Sequence, residues 1–328
     1  MWSRRASAWH PSMIHSIENL KELPDSGFTR MITSCDGTLT LMPEIHAAGY
    51  SPTIKKRAVS RKLVQARKNV GMTTTEVCKR LRWSPSKLNY IEKSKWIEPN
   101  SDAVADLCEL YGIEGAEREA LINLAREGRQ RGWWSRYNDV FRDEFPGFEA
   151  GASFVRTFQN TFVPGLLQTQ GYIEAVTLTA GIDDPAEVER HVNARLERQR
   201  LLSRAESPVR LQAVIDENVI TRLRPHDVRV TQLKHLVEMA GKENVELRLI
   251  PAIAGLYPGA GESFTYLGFT DPAERDIVYL ETTIDYRFLE EKDELRRFTD
   301  RFGHLAEVAL SPEATRDRLL DELKKEPA

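Results

Sequence analysis

Between positions 84 and 90 the chain places Ser84, Ser86, Lys87, Asn89 and Tyr90, with Pro85 and Leu88 among them. Hydroxyl, amide and ammonium groups are the donors and acceptors that read base edges and phosphates, and an asparagine can pair bidentately with adenine. The chemistry open to this group is hydrogen bonding to nucleic acid. Ser86, Asn89 and Tyr90 are the candidates for base edges, and Lys87 for a base or a phosphate. The alternative for Tyr90 is packing against Trp83, and for Asn89 a solvated side chain.

Other chemistries fail on spacing. Gly255, Gly259 and Gly261 form a glycine-rich loop in IAGLYPGAGESF, but no Gly-Lys-Ser/Thr follows for a phosphate-binding loop, and Phe264 stands where a dinucleotide fingerprint needs its third glycine. Ser263 lacks the second glycine of a nucleophile elbow. The histidines, His10, His15, His46, His191, His226, His235 and His304, show no HExxH or paired ligand spacing, so no metal site, no cofactor and no enzymatic activity are expected. Cys35, Cys78 and Cys108 are far apart and include no CxxC pair; Cys78 and Cys108 read as small buried hydrophobes.

The elements that must carry the 84–90 group can be read from pattern. Val59, Leu63, Ala66 and Val70 form one apolar stripe over Arg57–Gly71, a first helix. Thr73 and Glu76 have capping-box spacing, opening a second helix over about Thr74–Leu81. After Arg82 and Trp83, Ser84 caps and Pro85 begins a third helix with Leu88 and Ile91 inward. Two short helices across so short a turn make the arrangement that presents a recognition helix to the DNA major groove. Ser101–Tyr111 is a fourth helix, stopped by Gly112.

Charge supports the same segment. The whole chain of 328 residues carries −3, with 41% hydrophobic and 29% charged residues, an ordinary globular composition. That near-neutral total conceals a division. Residues 51–95 hold 13 basic residues against two acidic ones, residues 1–50 hold four against five, and residues 96–328 hold 29 against 42. A module at +11 therefore precedes a body at −13. Arg57, Arg61, Lys62, Lys79, Arg80, Lys93 and Lys95 are phosphate candidates, each with a plain solvated side chain as the alternative. No apolar run approaches a membrane span, so no membrane partner and a cytoplasmic, nucleoid-associated place are expected.

TTEVCKRLRWSPSKLNYIEKSK resembles the Xre (lambda-repressor-like) helix-turn-helix. Thr74, a further DNA-contact candidate, stands where that family usually has Gln. Arg82 replaces the usual glycine of the turn, and Ser94 the glycine after the recognition helix. Arg82 must then sit in an αR-compatible turn or tolerate the left-handed region. The resemblance implies an all-α, five-helix DNA-binding domain that works as a homodimer on a double-stranded operator, because one such domain covers only a half-site.

Further on, GWWSRYNDV with Trp133 and Trp134, FVPGLLQTQGYIEAV, VERHVNARLERQRLL and IVYLE resemble a large actinobacterial family of Xre-type regulators described as antitoxin-like. That resemblance implies a C-terminal domain of uncharacterised function and a small partner protein encoded nearby. The residues themselves suggest a mixed α+β domain. Strands are expected at Val209–Ile215, Val245–Leu249, Ser263–Phe269 and Ile277–Leu280, with helices over Asp227–Ala240, Leu289–Ala309 and Pro312–Lys325. Trp133 and Trp134 suit packing or an aromatic ligand wall; Gly255, Tyr257, Gly259 and Gly261 suit a pocket rim or partner edge.

The expected organisation is an unmatched leader over 1–50, either a flexible tail or an over-extended start, a helix-turn-helix domain over 53–125, a Trp-containing connector over 126–150 and an α+β domain over 151–325. The fold class is α+β overall. The expected function is a dimeric, sequence-specific transcriptional regulator whose second domain senses a partner protein or ligand. The alternative is an antitoxin-like module whose main role is binding a small partner protein.

Overall fold

The computed structural model describes residues 32–33, 39–40, 51–96, 98–141, 143–271, 274–282 and 284–327. Ile32–Thr33 (β1) and Leu39–Thr40 (β2) pair antiparallel. The rest of the expectation for residues 1–50, with Cys35, lies outside the described residues.

The first described helix, α1, runs Pro52–Asn69, five residues ahead of the expected start. Ser51 is extended and Pro52 takes the first helical position, where its missing N–H costs nothing. Next come α2 (Thr74–Leu81), α3 (Pro85–Glu92), α4 (Ser101–Tyr111) and α5 (Gly115–Gly128). Their starts are set by local chemistry. Thr73 and Glu76 form the full capping box, Ser84 accepts from Lys87 N, and Asn100 accepts from the amides of Asp102 and Ala103. Val59, Leu63, Val77, Leu88, Val104, Leu107, Leu121 and Ala125 close one core, with Cys78 and Cys108 buried in it.

A short helix α6 (Phe145–Gly151) then packs on α1, every one of its residues buried. Ser51 Oγ donates to Gly147 O at 2.5 Å. A Cβ on Gly147 would strike Thr53, so the close crossing needs glycine there.

Beyond it lies a six-stranded mixed sheet flanked by helices. In chain order its elements are β3 (Phe154–Gln159), α7 (Gln170–Thr179), α8 (Pro185–Gln199), β4 (Arg210–Asp216), α9 (Glu217–Thr221), α10 (His226–Met239), β5 (Val245–Ile250), β6 (Phe264–Gly268), β7 (Ile277–Glu281), β8 (Tyr286–Leu289), α11 (Lys292–Val308) and α12 (Pro312–Lys324). The strand order is β5-β4-β3-β6-β7-β8; β3, β4 and β5 run parallel and the rest antiparallel. One face sends Val155, Leu211, Ala213, Ile215, Leu247 and Leu249 into a core with Leu167, Leu233 and Leu236. The other sends Phe158, Val214, Phe264 and Val278 under Phe302 and Leu305 of α11. With about 1.5–3 kcal/mol gained for each large apolar side chain buried, both faces need their helical cover.

The two sheet edges differ. At β5, Leu310 N donates to Leu249 O at 2.8 Å and Leu249 N donates to Thr315 Oγ1 at 3.0 Å, so the approach to α12 covers that edge at Leu249. Among the described residues no bond of this kind reaches β8. Neither β3 nor β8 is among the expected strands. The central β3 carries Arg156 and Thr157 inside the sheet, where Thr157 Oγ1 donates to Phe264 O at 3.1 Å and the Arg156 guanidinium lies over the Phe154 ring; β8 is mostly exposed, so neither shows the apolar alternation of a half-buried strand.

Candidate nucleic-acid interface

Helix α3 buries Leu88 and Ile91 and leaves Ser84, Pro85, Ser86, Lys87, Asn89 and Tyr90 exposed. Ser84 Oγ accepts from Lys87 N at 3.2 Å, fixing the first turn. The Lys87 ammonium sits 3.5 Å from the centroid of the Trp83 ring, so Trp83 partners Lys87, while Tyr90 stays 54% exposed. The far end of α3 is held by Arg67, whose guanidinium forks onto Glu92 at 2.6 and 2.9 Å and also donates to Met72 O. That fork raises the Arg67 guanidinium above its ordinary range. It ties α3 to α1 and to the α1–α2 turn.

Two turn residues carry left-handed backbone without being glycine. Arg82, between α2 and α3, has φ 54° and ψ 39°, and Ser94, after α3, has φ 57°. These are the positions where glycine is usual in the Xre pattern, and here the fold requires the conformation while the sequence supplies a side chain.

The basic residues separate into two groups. Thr74 sits at the start of α2, and Lys62, Lys79, Arg80, Lys93 and Lys95 are exposed. Arg57 and Arg61 are not. The Arg57 guanidinium is buried, 2.8 Å from Glu274 and 2.7 Å from Glu290, and Arg61 lies 2.6 Å from the same Glu274. Their expected phosphate role is therefore corrected: both bind the second domain. Burial drives the Glu274 carboxyl up and the Arg57 guanidinium down despite their mutual attraction. No sequence signal could pair them, since Arg57 and Glu290 are 233 residues apart.

The other expected site residues are spread through the body. Trp134 is wedged where a Cβ on Gly132 or Gly147 would meet its ring, and Trp133 contacts Trp134, Tyr137 and Phe141 edge-on at 5.8–6.3 Å. This is packing between segments rather than an open wall. The Tyr257 hydroxyl donates to the Asp216 carboxylate, and Gly259 O accepts from Arg301 at 2.9 Å, so the 255–261 loop is pinned. Gly255 and Gly261 face open space, and beside them Ile253 and Leu256 are fully exposed. Among the described residues no group of three or more His, Cys, Asp and Glu could hold a metal ion, and no helix is long and apolar enough to cross a membrane.

Comparison with known families matches residues 58–121 to a helix-turn-helix domain and residues 142–321 to a domain of unknown function, DUF5753, which spans more than half the chain. The chain belongs to the DUF5753 family. Curated proteins and solved structures gave no match. The helix-turn-helix match encloses α2, α3 and their turn, and the DUF5753 match encloses the whole six-stranded sheet.

Within the DUF5753 domain further ion pairs are internal. Arg198, half-buried over the Phe145 ring, forks onto the buried Glu149, and Arg229 bridges Glu322 and Glu326. A cleft of about 400 Å³ opens beside Arg224, His226 and Arg229, but Arg229 is already engaged by both carboxylates.

Proposed function

We propose that this protein is a sequence-specific DNA-binding transcriptional regulator of Xre type, acting as a homodimer, with α3 in the major groove. The observation that carries the reading is the outward row of Ser86, Lys87, Asn89 and Tyr90 on a capped helix whose apolar residues are buried, inside a matched helix-turn-helix domain. Ser86, Asn89 and Tyr90 contact base edges; Lys87, on Trp83, reaches a base or phosphate; Thr74, Lys62, Lys79, Arg80, Lys93 and Lys95 hold the backbone. The acidic body repels DNA and leaves the basic module facing it.

Mobility-shift titration against promoter fragments tests this. Asn89→Ala should cost about 1–3 kcal/mol and relax preference at one base pair, while Lys79→Ala should weaken all fragments alike and lower the salt slope by about one. Binding to every fragment unchanged in a Lys87→Ala/Asn89→Ala double variant sinks the assignment of α3.

A second reading rests on the exposed apolar tips Ile253, Leu256 and Ile284, which suit capture of a protein partner. In that reading the DUF5753 domain works as an antitoxin-like module of actinobacterial type, binding a small protein encoded nearby. Co-purification of the tagged chain with the product of an adjacent small reading frame supports it; its failure, with DNA binding intact, leaves the regulator alone.

A further inference from the structure

Many carboxylates of the DUF5753 domain already hold an arginine: Glu149 with Arg198, Glu217 with Arg318, Glu322 and Glu326 with Arg229. Three others are arranged differently. Glu174 of α7, Asp183 of the α7–α8 turn and Glu189 of α8 line one groove of about 520 Å³, and among the described residues that line it none is basic.

Helices α7 and α8 pack against each other as a hairpin across residues 180–184, and the groove runs between them. Along α7 the lining residues Gln170, Glu174 and Leu178 recur every fourth position, and along α8 so do Val188 with Val192 and Glu189 with Asn193, which puts each set on one helix face. The groove has an apolar floor. Val192 is buried, Val188 is half-buried, and Leu178 remains 54% exposed. Gln170 Nε2 donates to Glu174 Oε1 at 2.9 Å, which holds that carboxylate in place. Eight residues of α7, Gln170 to Leu178, span about 12 Å, or two turns of a third helix laid alongside. Carboxylates on both sides of an apolar strip complement a helix whose own apolar stripe is flanked by cations.

We propose that this groove docks a cationic amphipathic helix of a partner protein. Its apolar stripe rests on Leu178, Val188 and Val192, and its lysines or arginines meet Glu174, Asp183 and Glu189. Both halves of the chemistry are needed. A polyamine satisfies the carboxylates but leaves Leu178 in water, while a helix without cations covers the floor and leaves carboxylates desolvated and unpaired. Polyanions are repelled, since residues 96–328 carry −13. The groove lies on other elements than Ile253, Leu256 and Ile284, so the proposal goes beyond the partner reading above and does not fall with it.

Fluorescence anisotropy of the full chain with labelled helical peptides tests it. One peptide of about five turns carries leucine on one face and lysine on the other; a second replaces its lysines by glutamate, and a third its leucines by serine. The first should bind about tenfold or more tighter than either of the others. Glu174→Lys with Glu189→Lys, and separately Leu178→Ser, should each weaken it about tenfold, while Glu307→Lys, on α11 across the sheet, should leave it unchanged. No binding, equal binding of the lysine peptides with leucine and with serine, displacement by spermidine at matched charge, or an equal loss in Glu307→Lys overturns the proposal. If the groove variants fail to fold by circular dichroism, hydrogen exchange on wild type decides. Amides 174–178 and 186–193 should gain protection when the first peptide is added, and their indifference overturns the groove.

Discussion

At Arg82 and Ser94 the chain accepts a backbone that glycine adopts freely and other residues adopt at a cost of about 1–2 kcal/mol. Relief of that strain is partly offset by the greater freedom of glycine in the unfolded chain. Arg82→Gly and Ser94→Gly should each raise stability, by about 0.5–1 kcal/mol, read as a rise in the urea midpoint without a change in slope. If Arg82 also touches a phosphate, its glycine variant gains stability and loses DNA affinity, so the two measurements separate folding from binding. The left-handed backbone at Arg82 was legible as one of two outcomes, because the resembled family usually has glycine there. The hold of Lys87 on Trp83 was not, since the spacing offers that ring to Tyr90 as well.

Among elements, what sequence exposes is what short-range chemistry decides. The limits of α2 and α4 follow from Thr73 with Glu76 and from Gly112, all within a few residues of the ends that they fix. The start of α1 was missed because Ser51 and Pro52 precede its apolar stripe, and β3 and β8 because their polar residues hide the alternation. The contact of α1 with the DUF5753 domain was not legible at all, because Arg57 meets Glu274 and Glu290 only in the folded chain. Burial shifts the Glu274 carboxyl up and the Arg57 guanidinium down, so desolvation outweighs attraction in this pair. Glu274→Leu alone should therefore cost about 3 kcal/mol, by leaving the buried Arg57 guanidinium with Glu290 alone of its two carboxylates and taking the carboxylate from Arg61, while Arg57→Met with Glu274→Leu should recover part of it. A double-mutant cycle in urea checks this; additive losses refute it.

For the whole molecule, a net charge of −3 says little, because a basic module and an acidic body nearly cancel. The structure adds that two of the bases face inward, toward Glu274 and Glu290, so the charge offered to DNA is smaller than the sequence count. The bonds at Leu249 have a consequence for growth. An unpaired strand edge is a template on which another chain can add, and Leu310 and Thr315 occupy that template at Leu249. Removing residues 309–328 should uncover the Leu249 backbone and favour edge-to-edge association, seen as light scattering that rises with time in the truncated protein and stays flat in the full chain.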